Sequence, residues 1–436
     1  MPLTGRRTFV GFGFGAIQSG LFLYEAFHSG AFRRLVVVEV VPEVVRAVRQ
    51  EGGSFCVNIA HRDRVESTCV GPVEIYDPAV EADRQKILAA IVEAEEIATA
   101  VPSVAFYVSD KAGSIHRLLA EGLCQKVEQN GPRAIIYAAE NHNHAAEMLE
   151  AAVRGLIPQE QRADVQTLVR FLNTVIGKMS QVVVDPDEVQ ARNLTPITPG
   201  YPRAFLVEAF NHILVSKVQF PEPFERGISV LLEKDDLLPF EEAKLYGHNA
   251  THAVLGYLGA LLGAQRVADL QETPGMLPFA RAAFIDESGT TLIRKHAGVD
   301  PLFTPNGYME FADDLLERMT NLFLVDMIER VTRDTERKLG WNDRLIGTMR
   351  VALEQSVTPS RYAMGAAAAL ARLDPATLEG QLPAGNILDE LWREASPDRA
   401  ERDQVVGLIE TALVKLRSWR AEGFPNLEIF YRGSQA

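Results

Sequence analysis

The sequence predicts an α/β protein with a mostly parallel sheet in its N-terminal half and a mostly α-helical C-terminal half. Up to about residue 140, short apolar runs alternate with amphipathic stretches, which is typical of parallel strands covered by helices on both faces. From about residue 239 onward, long amphipathic patterns replace the β-branched runs. We therefore expect two domains, residues 1–215 and 216–436, which suits a chain of 436 residues.

The individual elements follow from the same patterns, taken in chain order. Short runs rich in Val, Ile and Ala predict buried strands, and apolar positions at helical spacing predict helices. The predicted strands are Thr8–Gly11, Leu35–Val40, Val70–Tyr76, Ile97–Ala100, Ala134–Ala139, Val182–Val184 and Ala204–Val207. The predicted helices are the stretch that ends at His28, then Glu43–Gln50, Lys86–Glu96, Gly113–Gln129 and the stretches 241–263, 278–296, 308–338, 342–356, 360–373 and 385–421.

Composition and charge exclude several classes of protein. The chain is 47% hydrophobic and 23% charged, which excludes a disordered or collagen-like protein. Its net charge of −14 argues against nucleic acid or an anionic membrane surface as the main partner, because both require a basic surface. No stretch of 18 or more apolar residues is free of charge, so we expect no transmembrane helix and no membrane partner.

Two further observations bear on location. Cys56, Cys69 and Cys124 lie apart in the sequence with no CxxC pair, which suggests a reducing compartment and no cysteine-based zinc site. The apolar run Phe9–Phe27 follows two arginines and allows an export signal. Glycines and Glu25 interrupt that run and no A-x-A site follows, so a strand, a turn and a helix are favoured. We therefore expect a cytoplasmic protein.

The first turn carries a glycine pattern between a strand and a helix. The turn reads GFGFGAIQSG from Gly11 to Gly20, and glycines there permit a tight turn and close approach of backbone N–H groups to a pyrophosphate. The spacing departs from a strict GxGxxG, because Gln18 stands where the third glycine is expected after Gly13 and Gly15. A structural strand–helix turn remains the alternative, and the cofactor site that we expect includes Ala16 and Ile17.

An acidic residue favours one nicotinamide cofactor. Glu39 ends the second predicted strand, 26 residues after Gly13. A carboxylate at that place accepts hydrogen bonds from both ribose hydroxyls of an adenosine and repels a 2′-phosphate. No arginine directly follows Glu39, so the sequence favours NAD over NADP, with a solvated strand-end carboxylate as the alternative.

The densest polar group of residues lies in an otherwise apolar helix, from Glu241 to Gly259. At 100° per residue, His252 lies about 80° and Asn249 about 140° from Lys244, so all three share one broad face. A desolvated lysine there can act as a general base near neutral pH, and the alternative is a surface lysine paired with Glu241 or Glu242. His248 and His252 have the spacing of a zinc pair, but Asn249 replaces the glutamate of HExxH.

These residues resemble the polyol-specific long-chain dehydrogenases, the mannitol dehydrogenase family, over nearly the whole chain. The run from Lys244 through Asn249 and His252 to Tyr257-Leu258-Gly259 is similar to the signature of that family. Ala243–Gly259 and the stretch around Glu329-Arg330-Val331 look most similar to members that act on mannitol 1-phosphate. Further similar motifs are Gly13–Gly20, Val38-Glu39-Val40, Ala138–Asn141, Glu287-Ser288-Gly289 and Asp343-Arg344-Leu345.

The resemblance implies roles that the spacing alone does not give. Lys244 is implied as the general base that takes the alcohol proton. Asn249 and Asn141 are implied as donors to the developing alkoxide, and His252 as the residue that binds a substrate hydroxyl. No metal is implied. Where relatives have Val-Asp-Arg, this chain has Ile176-Gly177-Lys178, so an aspartate of the substrate pocket is absent.

A stripe of basic residues bears on the substrate. Arg330, Arg333 and Arg337 are spaced i, i+3, i+7 and predict one helical face that holds a sugar phosphate, or else a solvated face paired with neighbouring carboxylates. We therefore expect an NAD-dependent dehydrogenase that interconverts a polyol phosphate and a ketose phosphate, as a monomer or small homo-oligomer. The alternatives are an unphosphorylated polyol or a hexuronate as substrate, an NAD-binding sensor without turnover, and a zinc hydrolase.

Overall fold

The computed structural model describes residues 3–210 and 212–433 and divides the chain into two compact units, Met1–Leu238 and Pro239–Ala436. This division lies later than the expected boundary between residues 215 and 216. The reason is that the segments Ile213–Ser216 and Leu231–Lys234 form strands that extend the sheet of the first unit.

Strands are confined to the first unit within the described residues, and helices occur in both units. The strands are β1 Arg7–Phe12, β2 Phe32–Val38, β3 Phe55–Ala60, β4 Val65–Val70, β5 Glu74–Tyr76, β6 Glu96–Thr99, β7 Ala134–Ala138, β8 Val169–Val175, β9 Ser180–Val183, β10 Ala204–Glu208, β11 Ile213–Ser216 and β12 Leu231–Lys234. The helices up to residue 249 are α1 Tyr24–Ser29, α2 Pro42–Gln50, α3 Glu81–Glu93, α4 Ile115–Glu128, α5 Ala145–Leu156, α6 Arg162–Leu168, α7 Pro186–Ala191 and α8 Leu238–Glu242.

The helices that follow are α9 Ala250–Leu262, α10 Met276–Ala282, α11 Thr290–Lys295, α12 Pro305–Met319, α13 Ile328–Val331, α14 Thr335–Lys338, α15 Arg344–Glu354, α16 Ser360–Leu373, α17 Pro375–Leu378, α18 Ala384–Leu391, α19 Arg399–Ala421 and α20 Leu427–Gly433. The π-helical segments are Gln18–Leu23, Ala243–Asn249 and Ala283–Gly289, and the 3₁₀ segments are Val104–Tyr107, Gln159–Gln161, Val267–Glu272 and Pro301–Phe303. In the described part of the chain, no helix is long and apolar enough to cross a membrane.

The main sheet of the first unit has the predicted, mostly parallel arrangement. In the described residues its order is β12-β11-β8-β7-β6-β1-β2-β5, and the six strands from β8 to β5 run parallel. β11 reverses the direction by pairing antiparallel with β8. The chain winds outward from β1 to β5 and begins again at β6 on the other side of β1. Open α/β sheets bind their ligands at the carboxyl ends of the strands at such a point.

The side chains of the central strands supply two separate cores, one on each face of the sheet. Phe9 on β1 packs in the same core as Leu35 and Val37 of β2. Val10 and Phe12 lie in the other core, because successive side chains of a strand point to opposite faces. Apolar residues at every position are therefore buried, which is why these strands are continuous apolar runs in the sequence.

A second sheet, ordered β4-β3-β10-β9, corrects the expectation about the cysteines. β3 and β4 pair antiparallel with Cys56 directly opposite Cys69, and the two form a disulfide. The wide spacing of the cysteines therefore gives no support for a reducing compartment, because a hairpin brings distant sequence positions face to face. The predicted strand Val70–Tyr76 is wrong, since it is split between β4 and β5 in different sheets around Gly71 and Pro72.

The predicted helix 308–338 is interrupted in the second unit. α12 ends at Met319, and the chain then pairs with the segment 265–267, where Val267 N donates to Asp326 O at 2.9 Å and Ile328 N donates to Gln265 O at 2.9 Å. Asp334 has a φ of 52°, which separates α13 from α14. The stripe Arg330, Arg333 and Arg337 therefore does not lie on one helix. The stretch 385–421 is likewise two helices, α18 and α19.

A buried carboxylate from another segment caps the N-terminus of α16 in the second unit. The side chain of Glu287 is 5% exposed, and its two oxygens accept the backbone N–H groups of Arg361 at 2.8 Å and Tyr362 at 3.1 Å. These donors lie in the first turn of α16, which packs against α9 and α19. Burial raises the pKa of Glu287 to about 8, although both N–H groups and the Arg361 guanidinium favour the charged form. Glu287 is thus an N-terminal cap supplied from another helix.

We predict that Glu287→Ala lowers the free energy of unfolding of the second unit by about 2 kcal/mol, because it leaves two buried N–H donors without an acceptor. The measurement is urea denaturation followed by tryptophan fluorescence, since Trp341, Trp392 and Trp419 all lie in this unit. The matched control is Asp286→Ala at the exposed neighbouring position. Equal unfolding midpoints for the two variants would contradict the capping role.

Candidate active site

The glycine turn lies at the carboxyl end of β1. Gly13 has a φ of 88°, donates its N–H to Val38 O at 2.8 Å, and has Ala100 O only 2.8 Å from the position a Cβ would take. A Cβ on Gly15 would meet no atom within 4 Å, so this side of the turn is open. Ala16 and Ile17 begin the helix that follows. The turn therefore presents backbone N–H groups and a helix N-terminus, as a pyrophosphate requires.

Gln18, the departure from the glycine pattern, has a local explanation. Its side chain is fully buried, and its carboxamide occupies the space that a Cβ on Gly11 would fill. Gly20 lies against Val207 in the same way, which lets the helix approach the neighbouring sheet. The chain thus accommodates a longer residue at the third position by having a glycine on the adjacent strand.

Glu39 follows β2 at the same edge of the sheet and is 8% exposed. Its Oε1 accepts the backbone N–H groups of Val40 at 2.8 Å and Val41 at 2.9 Å. Burial raises the pKa of Glu39, and the negative charge of Asp77 at the end of β5 adds to the effect. Glu39 N donates to Tyr76 O at 3.0 Å, so the ends of β2 and β5 are held together.

The ends of β6 and β7 are joined by Glu140, which the sequence analysis quoted only as part of a motif. Its carboxylate is buried and accepts hydrogen bonds from Thr99 Oγ1 at 2.9 Å, Val101 N at 2.9 Å and the Tyr107 hydroxyl. Burial raises the pKa of Glu140. The neighbouring Asn141 is exposed just beyond the carboxyl end of β7. Glu140 therefore fixes the backbone from which Asn141 projects.

The polar helix of the second unit is partly π-helical. Ala243–Asn249 is a π-helical segment that continues into α9, so the predicted spacing of 100° per residue does not hold between Lys244 and Asn249. The Lys244 side chain is half-buried, and burial, followed by the positive charge of Arg344, lowers its pKa to about 8. The amine can therefore lose its proton near neutral pH, which is the property required of a general base.

The two histidines of this helix lie close together, with ring centroids 6.3 Å apart. His248 is buried, and desolvation together with the charges of His252 and Arg318 lowers its pKa well below the usual value. His252 Nε2 lies 2.8 Å from Oδ2 of Asp326. Within the described residues, no group of three or more His, Cys, Asp or Glu side chains is arranged to hold a metal ion.

The predicted phosphate ligands are not arranged as one group. Arg330 lies on α13 and its guanidinium contacts Asp326 Oδ1, with Nε at 2.9 Å and Nη2 at 2.6 Å. Arg333 is exposed in the turn that follows. Arg344 is the basic residue whose charge lowers the pKa of Lys244, and together with burial it also lowers the pKa of Lys338 to about 8.

Comparison with known proteins decides the family. The model of the mannitol dehydrogenase Rossmann domain matches residues 7–223, and that of the mannitol dehydrogenase C-terminal domain matches residues 236–412. The chain belongs to the mannitol dehydrogenase family. Two solved structures share its fold at 16% identity: a substrate-free D-sorbitol dehydrogenase, with a TM-score of 0.74 and coverage of 97% of this chain and 94% of that one, and a Pseudomonas fluorescens mannitol 2-dehydrogenase, with a TM-score of 0.70 and coverage of 96% and 93%.

In this mannitol dehydrogenase family chain, each unit gathers its own part of the predicted site. Gly13, Gly15 and Glu39 lie together at the carboxyl edge of the main sheet, and Asn141 lies at the end of a strand in that sheet. Lys244, Asn249 and His252 lie along one helix of the second unit. Asp326 was not predicted as a site residue, because the sequence indicated only neighbouring carboxylates as surface partners of the basic stripe. The i, i+4 spacing of Asp326 and Arg330 was the available signal.

We predict that Arg344→Met raises the pKa of the Lys244 amine, because it removes the nearby positive charge that disfavours the ammonium form. The measurement is the pH dependence of acetylation of Lys244 by acetic anhydride, followed by peptide mass spectrometry. The amine reacts only when neutral, so the midpoint near pH 8 should move upward. Arg333→Met is the control, and an equal midpoint in the two variants would contradict the role of Arg344.

Proposed function

We propose that this protein is an NAD-dependent dehydrogenase that oxidises a secondary alcohol of an unphosphorylated hexitol and reduces the corresponding ketose. The observation that carries the proposal is Lys244, whose pKa is lowered to about 8 on the same helix as Asn249 and His252. This is the polar set expected of a metal-independent alcohol dehydrogenase, in a chain of the mannitol dehydrogenase family.

The residues of the first unit fit NAD as the cofactor. Gly13 provides the tight turn, and the open side of Gly15 leaves room for a pyrophosphate against the helix N-terminus. The buried Glu39, with Asp77 at the end of the next strand, suits two ribose hydroxyls and disfavours a 2′-phosphate. When bound, NAD supplies the acceptor for the hydride. The mannitol 2-dehydrogenase of similar fold was solved as a ternary complex with NAD and D-mannitol.

The second unit supplies the proton chemistry in this proposal. Neutral Lys244 takes the proton of the substrate hydroxyl during oxidation, and the ammonium form returns it during reduction. The amide of Asn249 donates a hydrogen bond to the developing alkoxide, which stabilises charge that is absent in the ground state. We propose the same donor role for Asn141 of the first unit. His252 binds a further hydroxyl of the polyol and so fixes the orientation of the substrate.

Two observations favour an unphosphorylated substrate over the polyol phosphate that the sequence suggested. The guanidinium of Arg330 contacts Asp326, and Arg333 is exposed in the turn after α13 rather than on one helical face with Arg330 and Arg337. The two neighbours of similar fold are described as a D-sorbitol dehydrogenase and a mannitol 2-dehydrogenase. We therefore place the hexitol first.

A second candidate is an anionic sugar, either a sugar phosphate or a hexuronate. It is favoured by Arg344, whose positive charge acts on both Lys244 and Lys338. Asp343 neutralises part of this charge by accepting from Arg344 Nε at 2.8 Å. Lys338 is buried and its amine donates to Arg333 O, so it is less available to a substrate than a surface lysine.

The test is a substrate panel followed at 340 nm. D-sorbitol and D-mannitol are offered with NAD, and fructose, fructose 6-phosphate, fructuronate and tagaturonate with NADH, each repeated with NADP or NADPH. We expect turnover with a hexitol and with fructose, and a preference for NAD. Turnover confined to fructose 6-phosphate or a hexuronate would replace the hexitol by the second candidate. Binding of NADH without any turnover would favour a cofactor-binding sensor instead.

We predict that Lys244→Ala lowers kcat for hexitol oxidation by about 10²- to 10⁴-fold, because the proton loses its acceptor, while the Kd of NADH changes little. In the wild type, oxidation should weaken as the pH falls below about 8, because the ammonium form cannot accept a proton. Ketose reduction should weaken above about pH 8 for the opposite reason.

The control for this prediction is Lys415→Ala. Lys415 lies on α19, where its amine is over the Tyr431 ring. Its kcat should match the wild type. Near-normal turnover of the Lys244 variant, with the pH dependence retained, would remove Lys244 from the role of base.

Location and assembly stay predictions. We expect a cytoplasmic protein that acts as a monomer or small homo-oligomer, with a small polyol as its partner and no nucleic acid. The Cys56–Cys69 disulfide removes the argument from cysteine spacing for this location.

A further inference from the structure

Asp326 is a buried carboxylate with a histidine and an arginine beside it on different elements. Its side chain is 4% exposed and lies in the segment between α12 and α13. Oδ2 lies 2.8 Å from His252 Nε2, and Oδ1 accepts from Arg330 Nε at 2.9 Å and Nη2 at 2.6 Å. The two oxygens of one carboxylate therefore face the imidazole of His252 and the guanidinium of Arg330.

The charges around Asp326 explain how it is tolerated in the interior. Burial alone would raise the pKa of Asp326, but the attraction of His252 and Arg330 outweighs burial and lowers it. The carboxylate is thus ionised at neutral pH. Nε2 of His252 lies within hydrogen-bond distance of Oδ2, at 2.8 Å, although the contact is not a linear hydrogen bond. His248 is a further titratable group beside His252, and the centroids of the two rings are 6.3 Å apart.

The backbone holds Asp326 in place independently of its side chain. Asp326 O accepts the N–H of Val267 at 2.9 Å, and Ile328 N donates to Gln265 O at 2.9 Å. Val325 has a φ of 50°, which turns the chain just before the carboxylate. The position of Asp326 relative to α9 is therefore set by contacts within the second unit.

We infer that Asp326 is a positioning residue that orients the His252 imidazole towards the substrate, and that Arg330 is the counter-charge of Asp326 rather than a ligand of the substrate. A carboxylate beside Nε2 favours the tautomer with the proton on that nitrogen. Nδ1 is then the acceptor of the neutral ring, and a substrate hydroxyl would donate to it. The inference rests on the proposed function, because it takes His252 as the residue that binds a substrate hydroxyl.

A purely structural role for Asp326 makes a different prediction from a positioning role. If Asp326 only anchors the segment before α13, its removal should reduce activity whether or not an imidazole is present at position 252. If Asp326 acts through His252, its removal should have no further effect once His252 is gone. A double-mutant cycle separates the two roles.

The experiment compares Asp326→Asn, His252→Ala and the double variant, with the hexitol that the panel above finds to be oxidised fastest. We expect each single variant to raise KM and lower kcat/KM by about 10- to 100-fold, because one polar contact to the substrate is lost or misaligned, with the Kd of NADH unchanged. The double variant should be no worse than His252→Ala alone. Asp313→Asn, which breaks an exposed aspartate–arginine pair with Arg281, is the matched control and should leave kcat/KM unchanged.

Two outcomes would count against us in distinguishable ways. Equal losses from Asp326→Asn in the wild-type and His252→Ala backgrounds would overturn the inference and leave the proposed function intact. Normal kcat/KM for His252→Ala would overturn the proposed role of His252 itself. If Asp326→Asn does not fold, Asp326→Glu keeps the charge but displaces the carboxylate, and the same criterion of no loss beyond His252→Ala applies.

A second measurement needs no turnover. Nitrogen NMR of protein labelled with ¹⁵N-histidine reports which ring nitrogen carries the proton, and the His252 signals are identified by their absence in His252→Ala. We expect the Nε2–H tautomer in the wild type and its loss in Asp326→Asn. An Nδ1–H tautomer in the wild type, or a tautomer unaffected by Asp326→Asn, would overturn the inference.

Discussion

Taking the Lys244 ammonium out of water is the constraint on which the polar arrangement of the second unit depends. Burial disfavours the charged amine, and the neighbouring Arg344 adds to that effect, so the pKa falls to about 8. Asp343, the N-cap of α15, accepts a hydrogen bond from Arg344 Nε and so balances part of the guanidinium charge.

A second carboxylate beside a basic residue occurs further along the helix of Lys244, at His252. His252 faces Asp326, and Asp326 is shared with Arg330, so a buried carboxylate lies between a ring of the proposed site and a half-exposed cation. Breaking a buried pair by removing one partner leaves an uncompensated charge, which is far less favourable than removing an exposed pair. The polar residues of this unit thus form a connected set whose members set each other's charge.

The parts that the sequence predicted are those determined by local chain geometry. The run of buried residues in β1, the positive φ of Gly13 and the position of Glu39 follow from neighbours in the sequence, and the parallel sheet follows from repeated alternation of strand and helix. The features that the sequence did not predict depend on pairing between residues that are distant in the chain. The segment 320–327 leaves its predicted helix because its backbone bonds to residues 265–267, and the Cys56–Cys69 disulfide depends on a hairpin register that spacing does not reveal.

The buried carboxylates of the two units have different kinds of hydrogen-bonding and charged partners. Glu39 and Glu140 in the first unit accept hydrogen bonds mainly from backbone N–H and hydroxyl groups, which hold the ends of the strands in place without adding charge. Asp326 in the second unit is held by the side chains of Arg330 and His252 instead. Neutral donors place no positive charge beside Glu39, so in the proposed function its carboxylate suits a ribose hydroxyl and disfavours a 2′-phosphate. Charged partners make the second unit responsive to proton transfer, because each ionisation there alters the pKa of its neighbours.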